Sequence, residues 1–197
     1  QDYKSGVTFD VVSLFARIRF KEEQSERQPF DTEYIFSTLL NEKNLSGLNE
    51  DCRLFLYAMA DTGARPSELV GLDYSKGDIQ LEAEIPHIII RPDENREIKN
   101  SYSERTIPLV GSALHAFQKA PHGFRRYFQN PDGLSANING YLRDNGLLPS
   151  ENHTLYSLRH SFEDRLTAVE PPEKTQSFLM GHKYRRERYG KGPSLEQ

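Results

Sequence analysis

Apolar residues recur at helical spacing through most of the chain from Pro29 onward. The pattern breaks between about residues 77 and 109, where short β-branched runs predict strands. From Thr32 to Leu40 the apolar positions are Ile35, Phe36, Leu39 and Leu40, which predicts a helix with one inward face. From Asn49 or Glu50 to Ala60 the run is apolar nearly all round, which predicts a buried helix. Gly63 is placed to end that helix as a C-terminal glycine, and Pro66 to open the next, with Ser67, Glu68 and Leu69 following. Arg65 is therefore held at a tight helix–turn–helix junction with its backbone fixed on both sides. Strands are expected at Gly77-Asp78-Ile79, His87-Ile88-Ile89-Ile90 and Arg105-Thr106-Ile107-Pro108-Leu109. Residues 92–104 are polar and turn-rich, the tip of an antiparallel hairpin that carries Lys99. Helical patterns return over roughly 111–119, 134–145, 154–168 and 173–180. The expected class is α+β, mainly α-helical with one small antiparallel sheet.

Upstream, Phe9, Val11, Val12, Leu14, Phe15 and Ile18 suit a short helix or strand, and Lys21 to Gln28 is charged and polar. This divides the chain into residues 1–28, a linker or the remnant of an N-terminal region, and one main domain over 29–197. There is no internal repeat.

Composition narrows the function classes. A chain of 197 residues buries a core without disulfides or a structural metal. Its single cysteine, Cys52, excludes an intrachain disulfide, reads as a small helix residue rather than a catalytic thiol, and fits a reducing cytoplasm. No apolar stretch approaches the roughly 20 residues that span a bilayer. The net charge of −4 argues mildly against a nucleic-acid partner. Residues 153–191, however, hold eight Lys/Arg against five Asp/Glu, so the last third is locally basic.

That basic third contains Arg159, His182 and Tyr189 in order, with Arg65 and Lys99 upstream. Cleaving a phosphodiester without a metal takes a nucleophile, positive donors for the non-bridging oxygens and an acid for the leaving oxygen. Arg65 and Arg159 suit a two-sided clamp, because a guanidinium donates two bonds to a phosphate. His182 suits proton donation or relay. Lys99 suits the leaving 5′ oxygen, and Tyr189 suits attack and a phosphotyrosine ester that conserves bond energy. Singly, each has a plainer role. Arg65 pairs readily with Glu68, Arg159 suits a helical salt bridge, His182 closes a turn after Gly181, and Tyr189 is one of ten tyrosines.

The ordered set resembles the catalytic domain of the tyrosine recombinases, the phage integrase family, over about residues 29–192. The first-arginine box is similar to Thr62-Gly63-Ala64-Arg65-Pro66-Ser67-Glu68-Leu69. The hairpin lysine is similar to Lys99, ahead of Arg105-Thr106-Ile107-Pro108-Leu109. The His-x-x-Arg box is similar to Tyr156-Ser157-Leu158-Arg159, the Gly-His box to Leu179-Met180-Gly181-His182, and the nucleophile to Tyr189. The resemblance implies a site-specific recombinase or integrase that cleaves and rejoins DNA strands through a 3′-phosphotyrosine intermediate, with no metal and no other cofactor. The implied catalytic set is Arg65, Lys99, Tyr156, Arg159, His182 and Tyr189. The implied DNA contacts are Arg65, Lys99, Arg105, Arg159, Lys183, Arg185 and Arg186. The implied partners are double-stranded DNA and further copies of the chain, a tetramer on DNA, in a cytoplasmic, nucleoid-associated setting in a bacterium or its phage. Residues 1–28 are too few for the separate DNA-clamping domain that family members carry, so that domain is expected elsewhere in the full-length protein.

Two departures stand out. Tyr156 occupies the position of the box histidine; a phenol donates to phosphate oxygens but is a poor base at neutral pH. His153 and His160 are the neighbours available to compensate, although His160 suits a structural helix position. The gap of seven residues from His182 to Tyr189 is shorter than the family's usual one. It suits attack in the chain's own site or in a neighbour's, or impaired cleavage. Both departures keep a second reading open, a non-catalytic DNA-binding or scaffolding domain of the same fold. A third is a strand-relaxing topoisomerase, which acts without partners. A metal site built from His153, His160 and His182 has no supporting cysteine pattern.

Overall fold

The computed structural model describes residues 27–92 and 101–184. Seven α-helices and a three-stranded sheet are present among them: α1 (Thr32–Tyr34), α2 (Glu50–Thr62), α3 (Pro66–Val70), β1 (Ile79–Gln80), β2 (His87–Ile90), β3 (Arg105–Pro108), α4 (Gly111–Lys119), α5 (Pro131–Asp144), α6 (Ser157–Ala168) and α7 (Glu173–Met180). The expected mainly helical α+β class is observed. Of the expected linker, only Arg27 and Gln28 fall among the described residues.

The buried helix is α2. The Asn49 side chain accepts the Cys52 N–H at 3.1 Å and starts it. Its interior residues Phe55, Leu56, Ala58, Met59 and Ala60 are fully buried, and it packs on α4 and α6. Cys52 is buried there with its Sγ accepting from Asn49, and burial pushes its thiol pKa up, so it is an inert core residue. The helix ends at Gly63, whose φ of +58° suits glycine. A Cβ added there would lie 2.2 Å from a Phe162 ring carbon, so Gly63 also lets α6 approach.

The sheet is antiparallel in the order β1-β2-β3, with Ile88 opposite Ile107 and Ile90 opposite Arg105. Burial alternates along each strand, and Ile88, Ile90, Ile107 and Arg105 face inward together.

Several boundaries differ from the sequence expectation. The Thr32–Leu40 helix is a single α turn that widens into a π turn at Ile35–Leu39, where the Leu40 N–H reaches the Ile35 carbonyl at 2.8 Å. The widening buries Ile35, Leu39 and Leu40 and leaves Phe36 exposed. Strand β1 begins at Ile79 because Gly77 lies in a left-handed turn. Helix α5 starts three residues earlier than expected, with Pro131 in its first turn and the Asn130 side chain on the Gly133 N–H. Helix α6 starts three residues later, because Thr154 and Ser157 close a turn on each other. No described helix is long and apolar enough to cross a membrane.

Candidate active site

The α2–α3 junction, β3, α6 and the end of α7 meet at one cluster of charge. Arg65 sits between Gly63 and Pro66. Its backbone N–H donates to Glu68 Oε2 at 2.7 Å, and its Nη1 donates to Glu68 Oε1 at 2.7 Å. The expected Arg65–Glu68 pair is therefore present, and it aims Arg65 rather than occupying it fully. Its Nη2 reaches the Gly181 carbonyl at 3.5 Å and its Nη1 lies 3.4 Å from Ser103 Oγ. The side chain keeps 14% of its surface exposed.

Glu68 is the anchor beneath. Its other partner is Arg105, which donates from Nη1 and Nη2 to the two carboxylate oxygens at 3.0 and 2.8 Å. Burial alone would raise the Glu68 pKa. The hydrogen bonds and charge of Arg105, with the Arg65 amide and charge, hold it down to about 2. Arg105 also donates to the Ser103 and Leu179 carbonyls, at 2.7 and 2.8 Å. The structure places Arg105, an expected DNA contact, in the interior. Its side chain is wholly buried, and its guanidinium is committed to Glu68 and two carbonyls, so it braces β3 against α7 and α3.

Arg159 lies in the first turn of α6, with only 3% of its surface exposed. Its Nη1 donates to the Gly63 carbonyl at 2.5 Å, and its Nη2 to the Met180 carbonyl and to His182 Nε2, the last at 3.2 Å. Burial first, and then the charge of Arg65, lower its pKa to about 10, so it stays charged at neutral pH. Helix α7 ends at Gly181 with φ +60°, and a Cβ there would lie 2.7 Å from Arg105 Nη1. That left-handed residue turns His182 back over Arg159. The His182 side chain is 45% exposed, with Nδ1 3.6 Å from Glu163 Oε1. Burial and the Arg159 charge push its pKa down, while Glu163 pulls it up.

The structure thus brings Arg65, Arg159 and His182 together. Tyr156 stands at the N-terminal cap of α6, half-buried, edge-on to His160 at 5.5 Å, with the Arg27 guanidinium 4.9 Å above its ring. His153 does not face the cluster. It is buried, with Nδ1 on Ser150 Oγ at 2.8 Å and Nε2 on the Pro29 carbonyl at 3.2 Å, and it packs on Phe30. Lys183 is exposed, its Nζ 5.8 Å from the Tyr102 ring centre. Lys99, Arg185, Arg186 and Tyr189 lie outside the described residues. Among the described residues no group of three His, Cys, Asp or Glu side chains has the arrangement of a metal site.

The sequence reading assigns no role to Glu163 and only part of the roles of Glu68 and Arg105. Glu68 was weighed only as a partner of Arg65; its bond to Arg105 crosses from α3 to the sheet and has no local signal. The inward position of Arg105 did have one, because Ile107 faces the core and strand side chains repeat every two residues. Glu163 follows Arg159 by four residues, the spacing of neighbours on one helix face.

The fold has known counterparts. The transposon integrase of Tn1549, solved in complex with transposon right end DNA, superposes with a TM-score of 0.60 at 18% identity, covering 84% of this chain and 61% of that one. The XerA recombinase superposes with a TM-score of 0.59 at 16% identity, over 79% of this chain and 55% of that one. The XerH site-specific recombinase, bound to its palindromic difH substrate, gives 0.55 at 18% identity, over 79% and 46%. The chain therefore spans about half to six tenths of the length of these structures. No protein-family model and no curated protein matches the sequence. The described residues, mostly helical with one small antiparallel sheet, therefore share the fold of these integrase and recombinase structures.

Proposed function

We propose that the chain is the catalytic domain of a site-specific DNA recombinase that cuts and rejoins duplex DNA through a 3′-phosphotyrosine link. The observation that carries this reading is the meeting of Arg65, Arg159 and His182, contributed by three separate elements, with Arg159 Nη2 3.2 Å from His182 Nε2. Two guanidinium groups and an imidazole at one point on a polar surface suit a phosphate whose charge grows in the transition state. His182 forms the exposed rim, Arg65 is partly exposed beside it, and Arg159 sets the potential from behind.

In this reading the Tyr189 oxygen attacks phosphorus, the bond to the 5′ oxygen breaks, and the tyrosine proton leaves to a base. Lys99 protonates the departing 5′ oxygen. Rejoining reverses these steps. Tyr156 donates to a phosphate oxygen, and Lys183, Arg185 and Arg186 hold the flanking backbone. Exchange between duplexes takes several protomers, four in the arrangement the resemblance implies, together with a DNA-clamping domain elsewhere in the full-length protein.

The test is a suicide duplex carrying a nick beside the cleavage point, taken from DNA flanking the coding sequence. Wild type is expected to form a covalent adduct and Tyr189→Phe none. A second reading, a non-catalytic DNA-binding domain of the same fold, draws on Tyr156 in place of the box histidine. It expects DNA binding that survives Tyr189→Phe, with no adduct from either protein.

A further inference from the structure

Both ring nitrogens of His182 face side chains of a single helix, one at hydrogen-bond length and one just beyond it. A guanidinium only donates, so the 3.2 Å contact from Arg159 Nη2 makes His182 Nε2 an acceptor and leaves the ring hydrogen on Nδ1. Nδ1 faces Glu163 Oε1 at 3.6 Å, just beyond hydrogen-bond length. Arg159 and Glu163 are four residues apart on α6, so one turn of helix sets both contacts. The ring arrives from the other side, carried by the left-handed turn at Gly181.

The surrounding charge makes Glu163 consequential. The groups that act on His182 are Arg159 and Glu163 from α6, Arg65 from the α2–α3 junction and Arg105 from β3. Three of these four are cations. Glu68, the other carboxylate of the cluster, is committed to Arg105 and Arg65. A second proton on His182 therefore has Glu163 as its opposing charge.

We propose that Glu163 is a positioning residue for His182, holding the Nδ1–H form in the resting site and carrying the countercharge when Nε2 gains a proton. This rests on the phosphoryl-transfer reading above. When a phosphate enters, Arg159 turns toward its oxygens and releases Nε2. Nε2 then takes the proton that the attacking phenol gives up, and the imidazolium donates from Nε2 to a non-bridging oxygen while Nδ1–H stays on Glu163. On rejoining, the proton returns to the phenol. The same logic underlies carboxylate–histidine pairs elsewhere, where the carboxylate selects the tautomer and stabilises the imidazolium.

The test is long-range proton–nitrogen NMR of the full chain, with the His182 signals assigned by their loss in His182→Gln. Wild type is expected to show the Nδ1–H tautomer at high pH. Glu163→Gln is expected to move the His182 titration midpoint to lower pH, and Glu163→Asp to move it back toward wild type. In the suicide-substrate assay, Glu163→Gln is expected to slow adduct formation roughly tenfold at pH 8, and the acid-side fall of the rate is expected to move to lower pH together with the His182 midpoint. A His182 midpoint that Glu163→Gln leaves unchanged or raises would overturn the proposal, whatever the cleavage result. Absence of any wild-type adduct would instead count against the phosphoryl-transfer reading, and the His182 titration would still decide the role of Glu163.

Discussion

At the scale of residues, Glu68 holds the cluster together. Its pKa is depressed from 4.5 to about 2, so its ionised form is favoured by the fold. That stabilisation, on the order of 3 kcal/mol, is fully present above about pH 4.5 and is lost as the pH falls toward 2. Acid unfolding followed by circular dichroism is expected to show this limb in wild type and to lose it in Glu68→Gln. That variant also leaves Arg105 buried without its carboxylate, a loss of about 3–5 kcal/mol near neutral pH. Arg105 and Lys183 contrast a buried brace with a proposed DNA contact. Arg105→Met is expected to lower the melting temperature, whereas Lys183→Ala is expected to leave it unchanged and to reduce the salt slope of DNA binding by about one. A DNA-binding salt slope reduced by Arg105→Met at unchanged stability would contradict its place in the interior. The contrast shows what the sequence made legible. Arg65, Arg159 and His182 stood out because their boxes lie on local turns and one helix. The Glu68–Arg105 bridge joins positions 37 residues apart through the sheet, and no short pattern announces it.

At the scale of elements, two left-handed glycines do the aiming. Gly63 ends α2 and offers its carbonyl to Arg159; Gly181 ends α7, offers its carbonyl to Arg65 and brings His182 to Arg159. A side chain at either position pays the positive-φ penalty of about 1–2 kcal/mol and also meets a neighbour. Gly181→Ala is expected to destabilise the fold by at least that amount in denaturant melts and to slow adduct formation disproportionately, since its Cβ would press on Arg105. Equal adduct rates for Gly181→Ala and wild type would sink this role. The glycine after α2 was legible from its place between an apolar run and Pro66. The π turn at Ile35–Leu39 was not, because α and π spacing share the same apolar positions over so short a stretch. The late start of α6 depended on a mutual bond between Thr154 and Ser157, which propensity does not reveal.

At the scale of the whole molecule, a chain with net charge −4 carries a cationic cluster on one side. In the proposed function, the overall charge would limit indiscriminate binding to DNA, while the local arginines would concentrate positive potential where a phosphate sits. Arg159→Ala and Arg65→Ala are each expected to cut adduct formation by about 10²–10³ while leaving most of the affinity for duplex DNA in place. The most direct check of the central claim is mass-spectrometric mapping of the covalent adduct formed on a nicked duplex. One phosphotyrosyl peptide is expected, bearing the 3′ phosphate on Tyr189, and it is expected to disappear in Arg159→Ala at equal protein. An adduct mapped to Tyr184 or to another residue, or DNA bound with no adduct at all, would contradict it.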